Sequence, residues 1–139
     1  MPDIAHTAHD MISGMMPKRR PGDFVFATTT DRALAETLLK DAISVFHEDE
    51  GLSMILPMAL AKAAGLNVDQ PMCCITLNVY SSLDGVGLTA AVSKALGDTV
   101  IPCNMVAAFH HDHVFVPSDM GEQAMQVLMS LQQQAAIDG

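Results

Sequence analysis

Tryptophan is absent, tyrosine occurs once, and seven basic residues face sixteen acidic ones, for a net charge of −9 at pH 7. That balance excludes a nucleic-acid or anionic-membrane partner, because neutralising phosphates takes clustered Lys and Arg. Lys18-Arg19-Arg20 is the one basic cluster, too short to outweigh the whole. No apolar run approaches the roughly 18 residues that a membrane-spanning helix needs. The N-terminal stretch MPDIAHTAHDMISGMMPKRR has its basic residues after the apolar ones and no apolar h-region, so the expected location is the cytoplasm. Three cysteines, two of them adjacent at Cys73 and Cys74, build no disulfide framework, and reduced, packed thiols are expected. No P-loop, dinucleotide fingerprint or Gly-x-Ser-x-Gly elbow is present, and no cofactor is implied. The sequence therefore reads as non-enzymatic.

What is there is a core. Half of the 139 residues are hydrophobic and 17% are charged, which opposes disorder and suits one compact domain or two small units sharing a core. Eleven methionines are read as gap-filling core residues. Residues 3–15 have helical spacing, with Asp3 as cap and Gly14 as stop, and Pro17 and Pro21-Gly22 punctuate the chain. Phe24-Val25-Phe26 reads as a strand buried on both faces, and TDRALAETLLK as a helix capped by Thr30 or Asp31. Ile43, Val45 and His47 alternate as a strand, HEDEG turns the chain, and Leu52–Leu56 returns. Pro57 opens a helix that Gly65 ends.

The second half follows the same order. Cys74–Tyr80 is a strand, Asp84–Gly87 a turn, Leu88–Leu96 a helix, Ile101–Phe109 a strand, HHDH a hairpin and Val114–Val116 the return. Ser118 or Asp119 then caps a long last helix. Phe46-His47, an acidic turn, an apolar strand and Pro57 are echoed by Phe109-His110, a polar turn, an apolar strand and Pro117. Each half is β-α-β-β-α and lacks the strand that would close a ferredoxin-like sheet. Two such halves complete one another by lending their first strands, and neither alone buries enough surface for comfort.

The stretch ITLNVYSSLDGVGLTAAVSKAL resembles the first strand, loop and helix of an ACT domain. An acidic residue, two more residues and then Gly-Leu open the helix, as Asp84-Gly85-Val86-Gly87-Leu88 does here. The whole chain is similar to small bacterial tandem ACT-like proteins. The likeness is carried by Pro21–Phe26, Glu48–Leu52, Leu56-Pro57, Ser81–Leu83, Val86–Val92, His111–His113 and Phe115–Pro117. Two departures stand out. Val86 replaces the usual proline before the glycine, and the first-half loop, Thr28-Thr29-Thr30-Asp31-Arg32, has no glycine. The resemblance implies an α+β, ferredoxin-like fold of two interlocked ACT-type units with antiparallel sheets. The expected division is an N-terminal helix and connector (1–20), a first unit (21–70) and a second (71–139), with strands exchanged and one shared core. It implies a regulatory module binding a small molecule, often an amino acid, and a homo-oligomer.

The candidate ligand site is the loop Ser81, Ser82, Asp84, Gly85, Val86, Gly87 and Leu88. Its glycines permit close backbone approach, and the helix beginning there turns amide N–H groups and a positive dipole end outward, which suits a carboxylate. Asp84 suits an α-ammonium, and the serines suit either group. The competing reading is a capped turn in which Asp84 serves only as N-cap. His111 and His113 are the right ligand types for Zn²⁺, but a tight turn splays them and no fourth ligand is evident, so the hairpin is read as structural. Glu48-Asp49-Glu50 lacks calcium-loop spacing and reads as a solvated turn. Beside ligand binding stand two alternatives: an assembly module without ligand, and a metal-binding protein built on HHDH.

Overall fold

The computed structural model describes residues 8–79 and 87–138. In chain order its elements are α1 (Ala8–Ser13), β1 (Met16–Arg19), β2 (Phe24–Thr29), α2 (Arg32–Leu38), β3 (Ser44–Glu48), β4 (Gly51–Pro57), α3 (Met58–Ala63), β5 (Met72–Asn78), α4 (Leu88–Asp98), β6 (Asn104–Ala107), β7 (Asp112–Pro117) and α5 (Gly121–Asp138). The chain divides into two compact units, Pro21–Met72 and Met1–Arg20 with Cys73–Gly139. Both are α+β with antiparallel strand pairs.

In the unit Pro21–Met72 the strands run in the order β3-β4-β2. The register sets Val25 beside Leu56, and both Ala27 and Val45 beside Met54. Since alternate residues share a face, Val25, Met54 and Leu56 meet Leu38 and Ala61 from the helices and form the core. The opposite face is less covered. Phe24 and Val25 are buried as the continuous apolar run predicts, but Phe26 is 47% exposed, so β2 is not sealed on both faces. Apolar continuity alone does not reveal whether a second layer exists. Asp31 caps α2 as expected, Oδ1 accepting from the amides of Ala33 (3.0 Å) and Leu34 (3.2 Å). Gly65, at φ 77°, ends α3 in a Schellman turn, with Leu66 N donating to Ala61 O and Gly65 N to Lys62 O.

In the other unit the strands run β1-β5-β7-β6. Where the prolines predict only punctuation, Met16–Arg19 is a strand, pairing Met16 with Asn78 through to Arg19 with Ile75. Pro17 fits because β1 lies at the sheet edge, where a missing N–H costs no ladder bond. Cys73, Ile75 and Leu77 of β5 and Val114 and Val116 of β7 face one way, into a core shared with Leu88, Val92 and Leu96 of α4 and Leu128 of α5. Met11 and Met15 seal it, nearly or wholly inaccessible, in the packing role expected of methionine, whereas Met16 and Met129 are exposed and depart from that expectation. The Gln132 side-chain amide of α5 donates to Ser13 O at 2.7 Å and closes the end of α1. Strand β6 is shorter than the apolar run 101–109 suggests. Ile101 is buried before the strand begins, so its apolarity serves the core and not the ladder.

Candidate functional site

The loop between β5 and α4 is where the sequence places a ligand. Ser81, Ser82, Asp84, Gly85 and Val86 lie outside the described residues. Gly87 and Leu88 lie within them. Gly87 has left-handed backbone (φ 109°, ψ −19°) and stands at the N-cap of α4, its carbonyl accepting from Ala91 N at 2.9 Å. A side chain in that conformation would be strained, so the position suits glycine. Being glycine, it brings no side-chain oxygen to the first-turn amides of an eleven-residue helix. Leu88 is turned into the core at 3% exposure, so only its backbone can face a ligand.

The counterpart in the first unit is built differently. Its β2–α2 loop ends in Asp31, whose own carboxylate occupies the α2 N-terminus, while Thr29 Oγ1 accepts from Asp31 N at 3.0 Å. Beside it opens a cavity of about 420 Å³ between this loop and the β3–β4 turn. Its floor is Ala35, Leu39 and Leu52, and its mouth carries Asp31, Arg32, Glu36, His47, Asp49 and Glu50. Four carboxylates against one guanidinium make the mouth a poor place for an anion. Asp49 and Glu50, which from the sequence read as part of a solvated turn, line this cavity. The signal for it was the repeat, which puts a β-α loop opposite a hairpin in both halves.

The histidine hairpin resolves into separate environments. His110 is exposed and meets the Phe109 ring edge-on, with centroids 5.1 Å apart. His111 Nδ1 lies 3.4 Å from Val79 O, and His113 Nδ1 lies 2.9 Å from Thr76 Oγ1. Burial, then the positive charges of Arg20 and His111, push the His113 pKa down, against the opposing pull of Asp112. Burial holds the Asp112 carboxyl above its usual range, although His113 and His111 favour its charge. Among the described residues no three His, Cys, Asp or Glu side chains are grouped to hold a metal ion. The thiols are buried or half-buried, and burial raises both Cys74 and Cys103, in Cys74 against the lowering influence of Arg20. Thiolate chemistry is disfavoured there.

Family models described as ACT domain match residues 7–73 and residues 71–130. The chain belongs to the ACT domain family. Among solved structures it is similar to a protein of unknown function from Vibrio cholerae, described as a possible transport protein. That match has 35% identity and a TM-score of 0.78, covering 88% of this chain and 93% of that one. A protein from Agrobacterium tumefaciens is 21% identical at TM-score 0.68, over 85% and 89% of the two chains. A putative C-terminal regulatory domain of aspartate kinase from Porphyromonas gingivalis is 14% identical at TM-score 0.55, over 85% and 96%. At those identities the last two show the fold alone. Comparison with curated proteins gave no match. Among the described residues no helix is long and apolar enough to cross a membrane.

With the family in hand, the two β-α loops of this tandem ACT protein become comparable positions. One helix N-terminus is filled by the protein's own carboxylate at Asp31. The other opens on a left-handed glycine.

Proposed function

We propose that this tandem ACT protein is a non-catalytic regulatory module that binds a small molecule of the amino-acid class at the Ser81–Leu88 loop. The observation that carries the reading is Gly87, a left-handed N-cap on α4 with no carboxylate of its own. An α-carboxylate placed there meets amide N–H groups and the positive end of the helix dipole, as the Asp31 carboxylate does on α2. Asp84 is the partner for the α-ammonium group, and Ser81 and Ser82 complete the hydrogen bonding. Binding favours one packing of the module over another, and a separate protein, or another copy within a homo-oligomer, receives that shift. The fold likeness to aspartate kinase regulatory structures supports the regulatory part of this reading by analogy.

A thermal-shift panel of amino acids tests it. One compound should raise the melting midpoint by several degrees. Gly87→Asn, which tolerates left-handed backbone and offers its own acceptor to the amides, should remove that rise. An unchanged rise in Gly87→Asn excludes this loop. The second reading, an assembly module without ligand, is favoured by Phe46 and Phe26, 70% and 47% exposed on the same face of their sheet. A flat panel together with concentration-dependent self-association selects that reading.

A further inference from the structure

Strand β5 ends at Asn78, which pairs with Met16 of β1. The chain then turns, the Val79 amide donating to Leu77 O at 2.9 Å, and runs on toward the loop proposed to hold a ligand. Val79 O is met from the β6–β7 hairpin, where His111 Nδ1 lies 3.4 Å away in a half-buried contact. A carbonyl only accepts, so the proton between them sits on Nδ1. The hairpin holds that ring in place. Ala108 N donates to His111 O at 3.0 Å, and the β6–β7 ladder closes beside it on the Ala107–Asp112 pair. Two residues on, His113 lies on the same strand face, and its Nδ1 is 2.9 Å from Thr76 Oγ1. The start of β7 thus sets two imidazoles against β5, one within the strand and one at its exit. At the far end of the loop, Leu88 is seated in the core and the Gly87 carbonyl accepts from Ala91 N.

We infer that His111 is a positioning residue for the Ser81–Leu88 site: its Nδ1–H holds the Val79 carbonyl, and with it the point from which the loop departs, while His113 on Thr76 keeps the hairpin within reach. This role rests on the ligand reading given above for that loop. The physical link is the chain itself. Ser81 follows Val79 by two residues, and an extended residue spans at most about 3.6 Å, so fixing Val79 confines Ser81 to within about 7 Å of it. Holding that point before a ligand arrives moves an ordering cost out of the binding step, which is how preorganisation raises affinity. The β1–β5 ladder already secures the strand as far as Asn78, so losing the His111 donor weakens the loop exit and spares the sheet. The neutral Nδ1–H ring and the imidazolium both donate, so the hold does not depend on the charge of His111. His113 differs in this respect, since a threonine hydroxyl pairs with a ring nitrogen in either role.

Two variants separate a donor from a packing group. His111→Phe keeps a ring without the donor, and His111→Gln keeps an amide donor without the ring. Amide hydrogen exchange at Val79 should be about tenfold faster in His111→Phe and return toward wild type in His111→Gln, with Thr76 and Leu77 unchanged in both. Imidazole ¹⁵N spectra of the wild type at about pH 8.5, above the ordinary histidine range, should show the His111 proton on Nδ1. Amino acids offered singly are the binding probes. Whichever compound raises the wild-type melting midpoint should bind His111→Phe about tenfold more weakly, and His111→Gln should recover most of that loss. Equal Val79 exchange in wild type and His111→Phe, or a neutral His111 protonated on Nε2, overturns the role. So does a wild-type ligand response that His111→Phe keeps in full, and that outcome leaves the ligand reading standing. A panel that is flat in the wild type overturns the ligand reading and the role together. The ¹⁵N spectrum needs no variant, so the role stays refutable even where His111→Phe folds poorly.

Discussion

Val100 should be a residue that the protein is better off without. Helix α4 ends in a Schellman turn, Ile101 N donating to Leu96 O at 3.0 Å and Val100 N to Gly97 O at 2.9 Å. This is the arrangement that Gly65 makes after α3. Here, however, the left-handed position is held by a β-branched residue at φ 60°. Left-handed backbone costs an L-residue about 1–2 kcal/mol, and β-branching adds to that. Glycine avoids the strain but gives back about 0.5–1 kcal/mol through the freedom of the unfolded chain. The valine side chain is 81% exposed, so removing it forfeits little burial. Val100→Gly should therefore stabilise by about 0.5–1 kcal/mol, or about 2–5 °C in midpoint. The reciprocal Gly65→Val should destabilise by about 1–2 kcal/mol. Urea titration with an unchanged m-value is the assay. A less stable Val100→Gly would refute the reasoning, since it would mean that the side chain contributes more than its exposure allows.

Gly121 gives a prediction of opposite sign. A methyl built there would lie 2.8 Å from Cys73 Sγ and 2.7 Å from Arg19 Cζ, and the buried thiol cannot retreat. Gly121→Ala should lose about 1–2 kcal/mol to overpacking despite the better helix propensity of alanine; a gain measured by the same titration would show that β1 and the start of α5 are less tightly joined. For pH, His113 is held below its ordinary value of 6.5, so on acidification the unfolded chain takes up the proton first. Its contribution is present above pH 6.5 and is lost as the pH falls from there through the depressed folded value. Asp112, held above its ordinary 3.8, has the opposite sign, the folded state taking its proton first. His113→Gln should flatten the fall in melting midpoint below pH 6.5, and an identical slope in the variant would rule this assignment out.

The repeat, the strand and helix order and the Asp31 cap were legible because periodicity and capping are local. What was not legible depended on partners distant in sequence. Pro17 reads as a break until β5 supplies a neighbour for an edge strand that tolerates a missing N–H. Phe26 reads as buried until the layer beyond it proves incomplete. Val100 carries no signal for left-handed backbone, since that conformation is imposed by the turn between a helix and a buried Ile101. Of the histidines, the sequence marks only a structural hairpin, and the pairing of His113 with Thr76, 37 residues away, emerges only from the fold. Lys18 and Arg20 count only as two charges in a tally until strand pairing sets them beside Thr76 and Cys74.

The difference between the two ACT repeats is itself informative about how a duplicated fold separates its roles. Both repeats place a helix N-terminus after the first strand of the motif, and both therefore present amides that want an acceptor. In one, Asp31 supplies it from two residues before Ala33 and three before Leu34, an arrangement that needs no ligand. In the other, Gly87 leaves the requirement to be met from outside its own side chain. A helix end satisfied internally contributes constant stability, whereas one satisfied by a ligand contributes stability in proportion to ligand concentration. Under the proposed function, the second end is the one that responds to a metabolite. Under that same proposal, the aspartate in the first loop and the glycine in the second divide the labour, with the first unit as scaffold and the second as sensor. On that account Gly87→Asp should remove the amino-acid-dependent rise in melting midpoint while leaving the fold intact, and a retained rise would refute the division.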